Sequence, residues 1–335
     1  GVLNYVRVEF AGNKVDSENE LNGIAFQGVG SGTDVDFVQT HMTSDDGIEF
    51  FGGTVQVKHI VVTGSDDDSI DWTGGWQGKA QFVVAEQSAA SGAEAERGIE
   101  ADNLEADNSA TPFSNPTLSN FTLIARAGNT ANGMRLRRGT KGSFHNFVVT
   151  GFEGFCIRVS ESQTDANVDD NSLTISNHVH NCTLGAAADG KAVDLVAGQS
   201  TVADPNLTAW QPQAGSDALG IGNSPSDAFF ESVDYAGAFD GTTGFVLAAG
   251  PVAVCRFGEA SKKSAISRIV SRSKMASGLR DFSKRSSSSP ETVTIANESI
   301  SRSNSGASWS IAPTSIDRSR RSQSRKCSSM TSQVD

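Results

Sequence analysis

The chain lacks the residue patterns that define several common classes of protein. Its four cysteines show no C-x-x-C spacing, which argues against a zinc site or a disulfide framework, and Cys156 and Cys182 are predicted to be structural thiols. No apolar run approaches about 18 residues, so no membrane span is expected. A G-x-S-x-G elbow is absent, and no histidine has a serine or cysteine at a triad-like position.

Two further absences concern helices and phosphate binding. No segment repeats apolar residues at i, i+3, i+4 and i+7 over about ten positions, which excludes a helical solenoid. The glycine-rich run at 28–32 lacks the Lys-Ser/Thr ending of a phosphate loop, so we interpret it as a turn.

What the sequence does contain is a short repeated motif. Residues 45–50 read DDGIEF, and residues 67–72 read DDSIDW. In both copies a turn residue precedes two apolar residues separated by one position, which is the alternation of a β-strand with one face turned inward. Further copies occur at 22–26, 97–101, 132–136, 153–157 and 192–195.

A second short motif alternates with the first and consists of a polar residue, a ring and usually a β-branched residue. Its rings are expected to stack in the interior; they are Tyr5, Phe37, His59, Phe82, Phe121, Phe147 and His178. One coil therefore carries both motifs and spans roughly 20 to 40 residues, as in solenoids. The sequence predicts an all-β protein whose residues 1–195 form a right-handed, single-stranded parallel β-helix of about seven coils.

The composition changes sharply near Gly250. The chain has a net charge of -12, yet residues 252–335 hold fifteen Lys and Arg against six Asp and Glu, with many serines and few glycines. We expect 196–250 to cap the open end of the solenoid and 251–335 to be a disordered Ser/Arg-rich tail. A basic arm that binds nucleic acid or an anionic surface and an out-of-frame translation are alternatives for the tail. The acidic body is not expected to bind nucleic acid.

Stacking the first motif in register predicts a column of outward-facing side chains. Its members are Ala25, Glu49, Asp71, Glu100, Arg135, Cys156 and Asp194, and the next column holds Gln27, Phe51, Thr73, Asp102, Arg137 and Arg158. Carboxylates about 4.8 Å apart repel one another, so either a cation, a raised pKa or open water must accommodate them. One hypothesis is that Glu49, Asp71 and Glu100 bind Ca²⁺; the alternative is a solvated ladder in which Glu100 pairs with Arg135.

The neighbouring side chains complete the predicted site. Arg135, Arg137 and Arg158 are the candidate catalytic residues, which would grip an acidic sugar and stabilise charge developing beside its carboxylate. Asp102 and Trp76 are predicted to contact substrate, with Trp76 either an exposed stacking platform or a loop anchor. The aspartates in the turns before the strands are interpreted chiefly as turn caps.

Four segments carry a family resemblance: NGIAFQGVGSGT at 22–33, DDGIEFFGGTV at 45–55, DDSIDW at 67–72 and FFESVDYAGAF at 229–239. They resemble a family of bacterial surface and lipoprotein-type β-helix proteins. This resemblance implies export to the cell surface and mostly unassigned activity. The Asp-Trp…Gly-Trp ending of that family does not follow residue 239, which favours an out-of-frame tail.

The architecture is also similar, more distantly, to pectate lyases, which place Ca²⁺-binding acids and a basic arginine on one face of a β-helix. This similarity implies that Glu49, Asp71, Glu100 and Asp102 are the acids and that Arg135 or Arg158 is the base.

The leading functional hypothesis is an exported protein that binds or cleaves polysaccharide with the help of Ca²⁺. A non-enzymatic adhesion or structural module and a Ca²⁺-dependent hydrolase of another small substrate are the alternatives. The chain begins at Gly1 inside a predicted strand, so we expect a mature form or a fragment, which leaves secretion open. A cleft with Trp76 on its rim would favour the enzyme, and a flat face would favour the module.

Overall fold

The computed structural model describes residues 1–12, 21–88, 97–184, 191–196 and 203–242, with two backbone strands further on. Long and short strands alternate along the chain. The long strands are β1 (Val2–Glu9), β3 (Asp34–His41), β5 (Gln56–Thr63), β7 (Lys79–Gln87), β9 (Thr117–Ala125), β11 (Gly142–Thr150) and β13 (Leu173–His180). The short strands are β2 (Ile24–Gln27), β4 (Ile48–Phe51), β6 (Ile70–Thr73), β8 (Ile99–Ala101), β10 (Met134–Leu136), β12 (Phe155–Val159) and β14 (Thr183–Leu184).

Each set of strands stacks in sequence order with parallel neighbours, and the short strands form a seven-stranded sheet. Each coil therefore contributes one long and one short strand, and the predicted right-handed parallel β-helix is confirmed. Side chains from both sets fill the interior with one apolar core, to which Ile48, Val57 and Ile60 belong.

Every long strand bends at one residue with a left-handed backbone, at φ between 48° and 59°. These corner residues are Tyr5, Phe37, His59, Phe82, Asn120, Asn146 and Asn177. The bend resets the strand alternation, so Val57, Ile60 and Val62 all face the core.

The prediction of a single interior ring stack is wrong. Tyr5, Phe37 and His59 lie at partly exposed corners. Phe121 and Phe147 occupy the next position along their strands and stack in the core with ring centroids 4.8 Å apart. In the early coils the ring belongs to the corner residue itself. In the coils of Phe121 and Phe147 it belongs to the residue that follows the corner.

The structure also corrects the last repeat. Residues 191–195 form helix α2 (Lys191–Leu195) rather than a strand, and β14 supplies the seventh short strand. Ala192 and Leu195 are buried against the core, and Asp194 lies on the helix and not in the predicted column. Helix α1 (Ser162–Asp169) occupies the preceding loop. Neither helix is long and apolar enough to cross a membrane, and no other described helix is.

Cys156 and Cys182 form a disulfide with their Cα atoms 5.1 Å apart, so the prediction of two free thiols is wrong. Cys156 lies in β12 and Cys182 directly precedes β14. The bond therefore links two adjacent coils at the end of the short-strand sheet.

Residues 203–242, here called the returning segment, lie along the outer side of the long strands from β5 to β13. The segment contains the short antiparallel pair β15 (Leu207–Thr208) and β16 (Gln211–Pro212). Lys58 in β5 pairs with Glu231 at 2.8 Å, and the carbonyl of His180 in β13 accepts a hydrogen bond from Ala203. The described part of 196–250 therefore covers a side of the solenoid, and the prediction of an end cap is wrong for it.

Asn120→Ala is expected to destabilise the protein by about 2 kcal/mol, because Nδ2 of the buried Asn120 donates to the backbone carbonyls of Tyr235 (3.0 Å) and Gly237 (3.1 Å). Asn177→Ala is the matched control, since Asn177 has the same corner conformation without such a bond to the described part of the returning segment. Chemical denaturation measures both. Equal losses for the two variants would mean that only the backbone preference of asparagine matters.

Contacts divide the chain into two units, Gly1–Ala249 and Gly250–Asp335. In the second unit, β17 (Val252–Cys255) pairs antiparallel with β18 (Ser328–Met330). The disordered-tail, basic-arm and out-of-frame hypotheses otherwise concern residues outside those that the structure describes.

Candidate functional site

The register of the short strands places charged side chains in one outward-facing column, here called the charged column. It runs through Ala25, Glu49, Asp71, Glu100, Arg135 and Arg158. Cys156 was predicted to follow Arg135 in this column. Arg158 takes that place instead, because the register of β12 against β10 is shifted by two residues from the predicted one. Acids and bases therefore follow one another directly along the axis of the solenoid.

Asp102 and Arg137 lie beside the charged column, just past the ends of β8 and β10. The backbone N–H of Asp102 donates to Trp72 and that of Arg137 to Ala101, both at 2.9 Å, so each continues its own coil. Nε of Arg137 is 2.8 Å from Oδ1 of Asp102. The predicted second column is correct for these two residues, whereas Arg158 belongs to the first.

Asp46, Glu49 and Asp71 form a carboxylate cluster in which one oxygen of each residue lies within 4.8 Å of the others. Glu49 and Asp71 come from adjacent strands, and Asp46 comes from the turn before β4. Gly47 permits this turn, because a Cβ atom there would lie 2.3 Å from Val62. Asp46 was interpreted as a turn cap; its Oδ1 does accept the backbone N–H of Asp68 at 3.0 Å, while the carboxyl also joins the cluster.

The carboxylate cluster is a poor environment for three negative charges. Burial raises the pKa of Asp46 and of Asp71 well above the usual range, and neighbouring carboxylates raise both further. Burial also raises the pKa of Glu49 to about 7, although a hydrogen bond from Asn22 opposes the shift. Oδ1 of Asp71 is shielded from water and has no hydrogen-bond partner among the described residues.

An all-oxygen donor set of this kind fits a hard cation such as Ca²⁺ better than zinc. No ion pair within the described residues neutralises Asp46, Glu49 or Asp71, so a cation would relieve both the repulsion and the unpartnered oxygen. The residues present therefore fit the predicted cofactor.

Glu100 is different, because arginines already neutralise it. Oε1 of Glu100 lies 2.5 Å from Arg97, and Oε2 pairs with Arg137. Burial raises the pKa of Glu100 while the two arginines act in the opposite direction. Glu100 is therefore a poor third ligand, and its partners are not Arg135, as the ladder hypothesis expected, but Arg97 and Arg137. Arg97 was missed because it occupies the turn at the start of its copy of the motif, outside the predicted outward-facing column.

Asp102 is likewise occupied by arginines. Arg138 contacts Oδ2 of Asp102 at 2.8 Å, in addition to the bond from Arg137. Asp102 is only 5% exposed, so its predicted contact with substrate is wrong for this arrangement. Its role in the structure is to hold Arg137 and Arg138 beside the charged column.

Arg135 and Arg158 are two adjacent cations in the charged column. Burial lowers the pKa of Arg135, and the nearby charges of Arg137 and Arg97 lower it further. Nε of Arg135 is shielded from water and has no hydrogen-bond partner among the described residues. Like charges directly opposite one another on neighbouring strands repel each other. An anion bound between Arg135 and Arg158 would attract both guanidinium groups and offset this repulsion.

Trp76 is fully buried, so the prediction of an exposed stacking platform is wrong and the loop-anchor interpretation is correct. Its ring stacks on Phe50 with centroids 4.0 Å apart, and Nε1 donates to the carbonyl of Val55 at 3.3 Å. The indole enters the core because its apolar area is large and its single N–H finds a backbone partner there.

His145 does have serine partners, contrary to the sequence-based expectation. Its Nε2 lies 2.8 Å from Ser143 Oγ, and its Nδ1 lies 2.8 Å from Ser176 Oγ. These residues belong to β11 and β13, so they are not part of the charged column on the short strands.

Stacked long and short strands, with a charged column on the short-strand face, define a parallel β-helix protein. A family model described as a pectate-lyase-like β-helix domain matches residues 1–215, and the chain belongs to this family. No curated protein and no solved structure matches the chain. The match confirms the suspected relationship to pectate-lyase-like proteins and indicates a polysaccharide-related function in general terms.

Proposed function

We propose that the protein binds an acidic polysaccharide along the charged column and cleaves it with the help of Ca²⁺. The observation that carries this proposal is the order of groups along the column: a cluster of three carboxylates that form no direct ion pair within the described residues, followed by two adjacent arginines. A uronate-containing chain carries carboxylates that Arg135 and Arg158 can bind, while its other oxygens can approach a cation at Asp46, Glu49 and Asp71.

The cleavage that best suits these groups is an elimination next to a sugar carboxylate. In this step the C–H bond beside the carboxylate breaks, its proton passes to Arg158 acting as the base in its neutral form, and negative charge develops on the carboxylate oxygens. The bond from the neighbouring ring carbon to the glycosidic oxygen then breaks, which leaves a C=C double bond in one sugar, while the departing glycosidic oxygen takes up a proton. Cationic groups positioned there stabilise the developing charge, which is commonly the largest contribution to catalysis. Arg135 would supply this stabilisation, and a cation at the carboxylate cluster would add to it. Arg137 takes a positioning role because Glu100 and Asp102 hold its guanidinium.

Export is part of the proposal. The Cys156–Cys182 disulfide supports it, because such bonds persist chiefly in oxidising compartments outside the cytosol.

A second candidate is a module that binds polysaccharide without cleaving it. The burial of Trp76 and the pairing of Glu100 and Asp102 favour this candidate, because they remove both predicted contacts to substrate and one predicted cation ligand.

Arg135→Gln is expected to weaken binding to polygalacturonate in millimolar Ca²⁺ by at least about tenfold, since one of the two adjacent cations is lost. Arg126→Gln is the control, because the side chain of Arg126 is 71% exposed and its ion pair within the described residues is with Glu86. Calorimetry measures binding, and the ultraviolet absorbance of an unsaturated product measures elimination. Unchanged affinity in Arg135→Gln would contradict the proposal; binding without product would favour the non-enzymatic module.

A further inference from the structure

The corners of the long strands carry two kinds of residue. Asparagine occupies the corners of β9, β11 and β13, and it tolerates the left-handed backbone well. Asn120 donates to the returning segment, and Asn146 Oδ1 accepts the backbone N–H of Asn223 at 2.8 Å. Aromatic side chains occupy the corners of β1, β3, β5 and β7, where this backbone is unfavourable for them.

The four aromatic corner residues form one continuous stack along the solenoid. The ring centroids of Tyr5 and Phe37 are 4.8 Å apart, those of Phe37 and His59 4.4 Å, and those of His59 and Phe82 5.2 Å. Tyr5 is 39% exposed, and Phe37 and His59 are half-buried. The rings of Tyr5, Phe37 and His59 therefore reach the surface as a stripe, here called the aromatic stripe, while Phe82 is buried at its inner end. Strained residues that persist in a fold are a reason to look for a function.

A groove of about 340 Å³ runs beside the aromatic stripe. Asp34, Asp36, Gln56, Lys58 and Phe229 line it, together with the turn at 31–33. Asp36 directly precedes Phe37, and Lys58 directly precedes His59, so the groove and the stripe share their strands. The volume lies within the range of small-molecule binding sites.

The polar groups of the groove are held in fixed positions. Asp36 Oδ1 lies 2.7 Å from His59 Nδ1, and Asp34 Oδ2 accepts a hydrogen bond from Asn4 at 3.0 Å. Lys58 Nζ pairs with Glu231 and lies 5.0 Å from the centroid of the Phe229 ring. Fixed acceptors, fixed donors and an aromatic wall together suit a ligand with many hydroxyl groups and apolar C–H faces.

We propose that this groove and the aromatic stripe bind a neutral oligosaccharide segment. Asp34 and Asp36 accept hydrogen bonds from sugar hydroxyls, Gln56 and Lys58 donate to sugar oxygens, and Phe229 packs against a sugar C–H face. Charges of both signs in the groove favour a neutral sugar over a strongly charged one. The site lies on the long strands, so it is independent of the charged column and gives the protein a second contact with glycan.

The test measures binding of cellohexaose and xylohexaose to the full chain by saturation-transfer NMR and calorimetry. Phe229→Ala and Asp34→Asn are expected to weaken binding by about tenfold or more. Phe37→Asn is a third variant: it loses ring contacts but places asparagine where the backbone favours it, so its melting temperature should stay close to that of the wild type while its binding weakens.

Asp71→Asn separates this site from the proposed function, because it alters the carboxylate cluster and leaves the groove intact. Hexasaccharide binding should be unchanged in Asp71→Asn even if that variant no longer responds to Ca²⁺. The inference is overturned if neither hexasaccharide binds the wild type at millimolar concentration. It is also overturned if binding is lost in Asp71→Asn but retained in Phe229→Ala and Asp34→Asn, which would place the sugar at the charged column.

Discussion

Asp71→Asn is expected to abolish the stabilisation of the protein by Ca²⁺. At a concentration 100 times the dissociation constant, a bound cation adds about 2.7 kcal/mol to the free energy of unfolding. Asparagine keeps the shape of Asp71 but removes its negative charge. Oδ1 is the oxygen of Asp71 that has no hydrogen-bond partner among the described residues. Without Ca²⁺, the variant should be more stable than the wild type at pH 7, because each repulsion between neighbouring carboxylates costs about 1 kcal/mol or more.

Thermal melts in EDTA and in millimolar Ca²⁺ measure both effects. Asp66→Asn is the matched control, since Asp66 is an exposed aspartate in the turn before the same strand. It should respond to Ca²⁺ as the wild type does. A full Ca²⁺ response in Asp71→Asn would show that the cation binds elsewhere, and the proposed function would then lose its main support.

The same carboxylate cluster sets an expected pH dependence. The pKa of Glu49 rises from 4.5 to about 7 on folding, and those of Asp46 and Asp71 also rise. At pH values between the unfolded and the folded pKa, these carboxyl groups bind more protons in the folded state than in the unfolded state. Their contribution to stability therefore falls as pH increases from about 4.5 to about 7. In Ca²⁺ this trend should weaken or reverse, because the cation binds the ionised carboxylates.

Removing the Cys156–Cys182 disulfide is expected to cost about 3.5 kcal/mol, because the bond closes a loop between residues 26 apart in sequence and limits the freedom of the unfolded chain. The double variant Cys156→Ala/Cys182→Ala should therefore melt well below the wild type. β14 has only two residues, so it is the strand that depends most on this covalent link.

The disulfide experiment is best made in a Cys255→Ser/Cys327→Ser background, which prevents exchange with the remaining cysteines. In that background a reducing agent should lower the melting temperature to that of the double alanine variant. Equal melting temperatures with and without reductant, together with two titratable thiols in the untreated protein, would contradict the assignment of the bond.

Sequence reasoning recovered the short-strand sheet because its inward pairs keep a strict period of two. Glu49, Asp71 and Glu100 stack as this period requires. The period failed at β12, where Cys156 and Ile157 are both buried and the motif could be matched two residues early. One shift of two residues was enough to move Arg158 into the wrong column.

Other errors arose where two residue types satisfy the same backbone. A left-handed corner accepts asparagine for its backbone preference and a ring for its stacking, so alignment by rings displaced Phe121 by one position. Trp76 looked exposed because it follows two glycines, yet its ring turns into the core. Glu100 was predicted to bind the cation because its ion pairs with Arg97 and Arg137 could not be foreseen. Such ion pairs depend on distances between coils, which a sequence pattern does not contain.

The returning segment changes how this solenoid should respond to force and heat. A stack in which each coil contacts only its neighbours can unravel from an end, one coil at a time. Here residues 203–242 bind strands from β5 to β13, through side chains such as Lys58, Gln81 and Asn120. A coil that contacts the returning segment can leave the stack only after those contacts have been broken. Pulling on the coils from β5 to β13 should therefore give one large rupture, whereas a solenoid without such a segment would give a series of small steps.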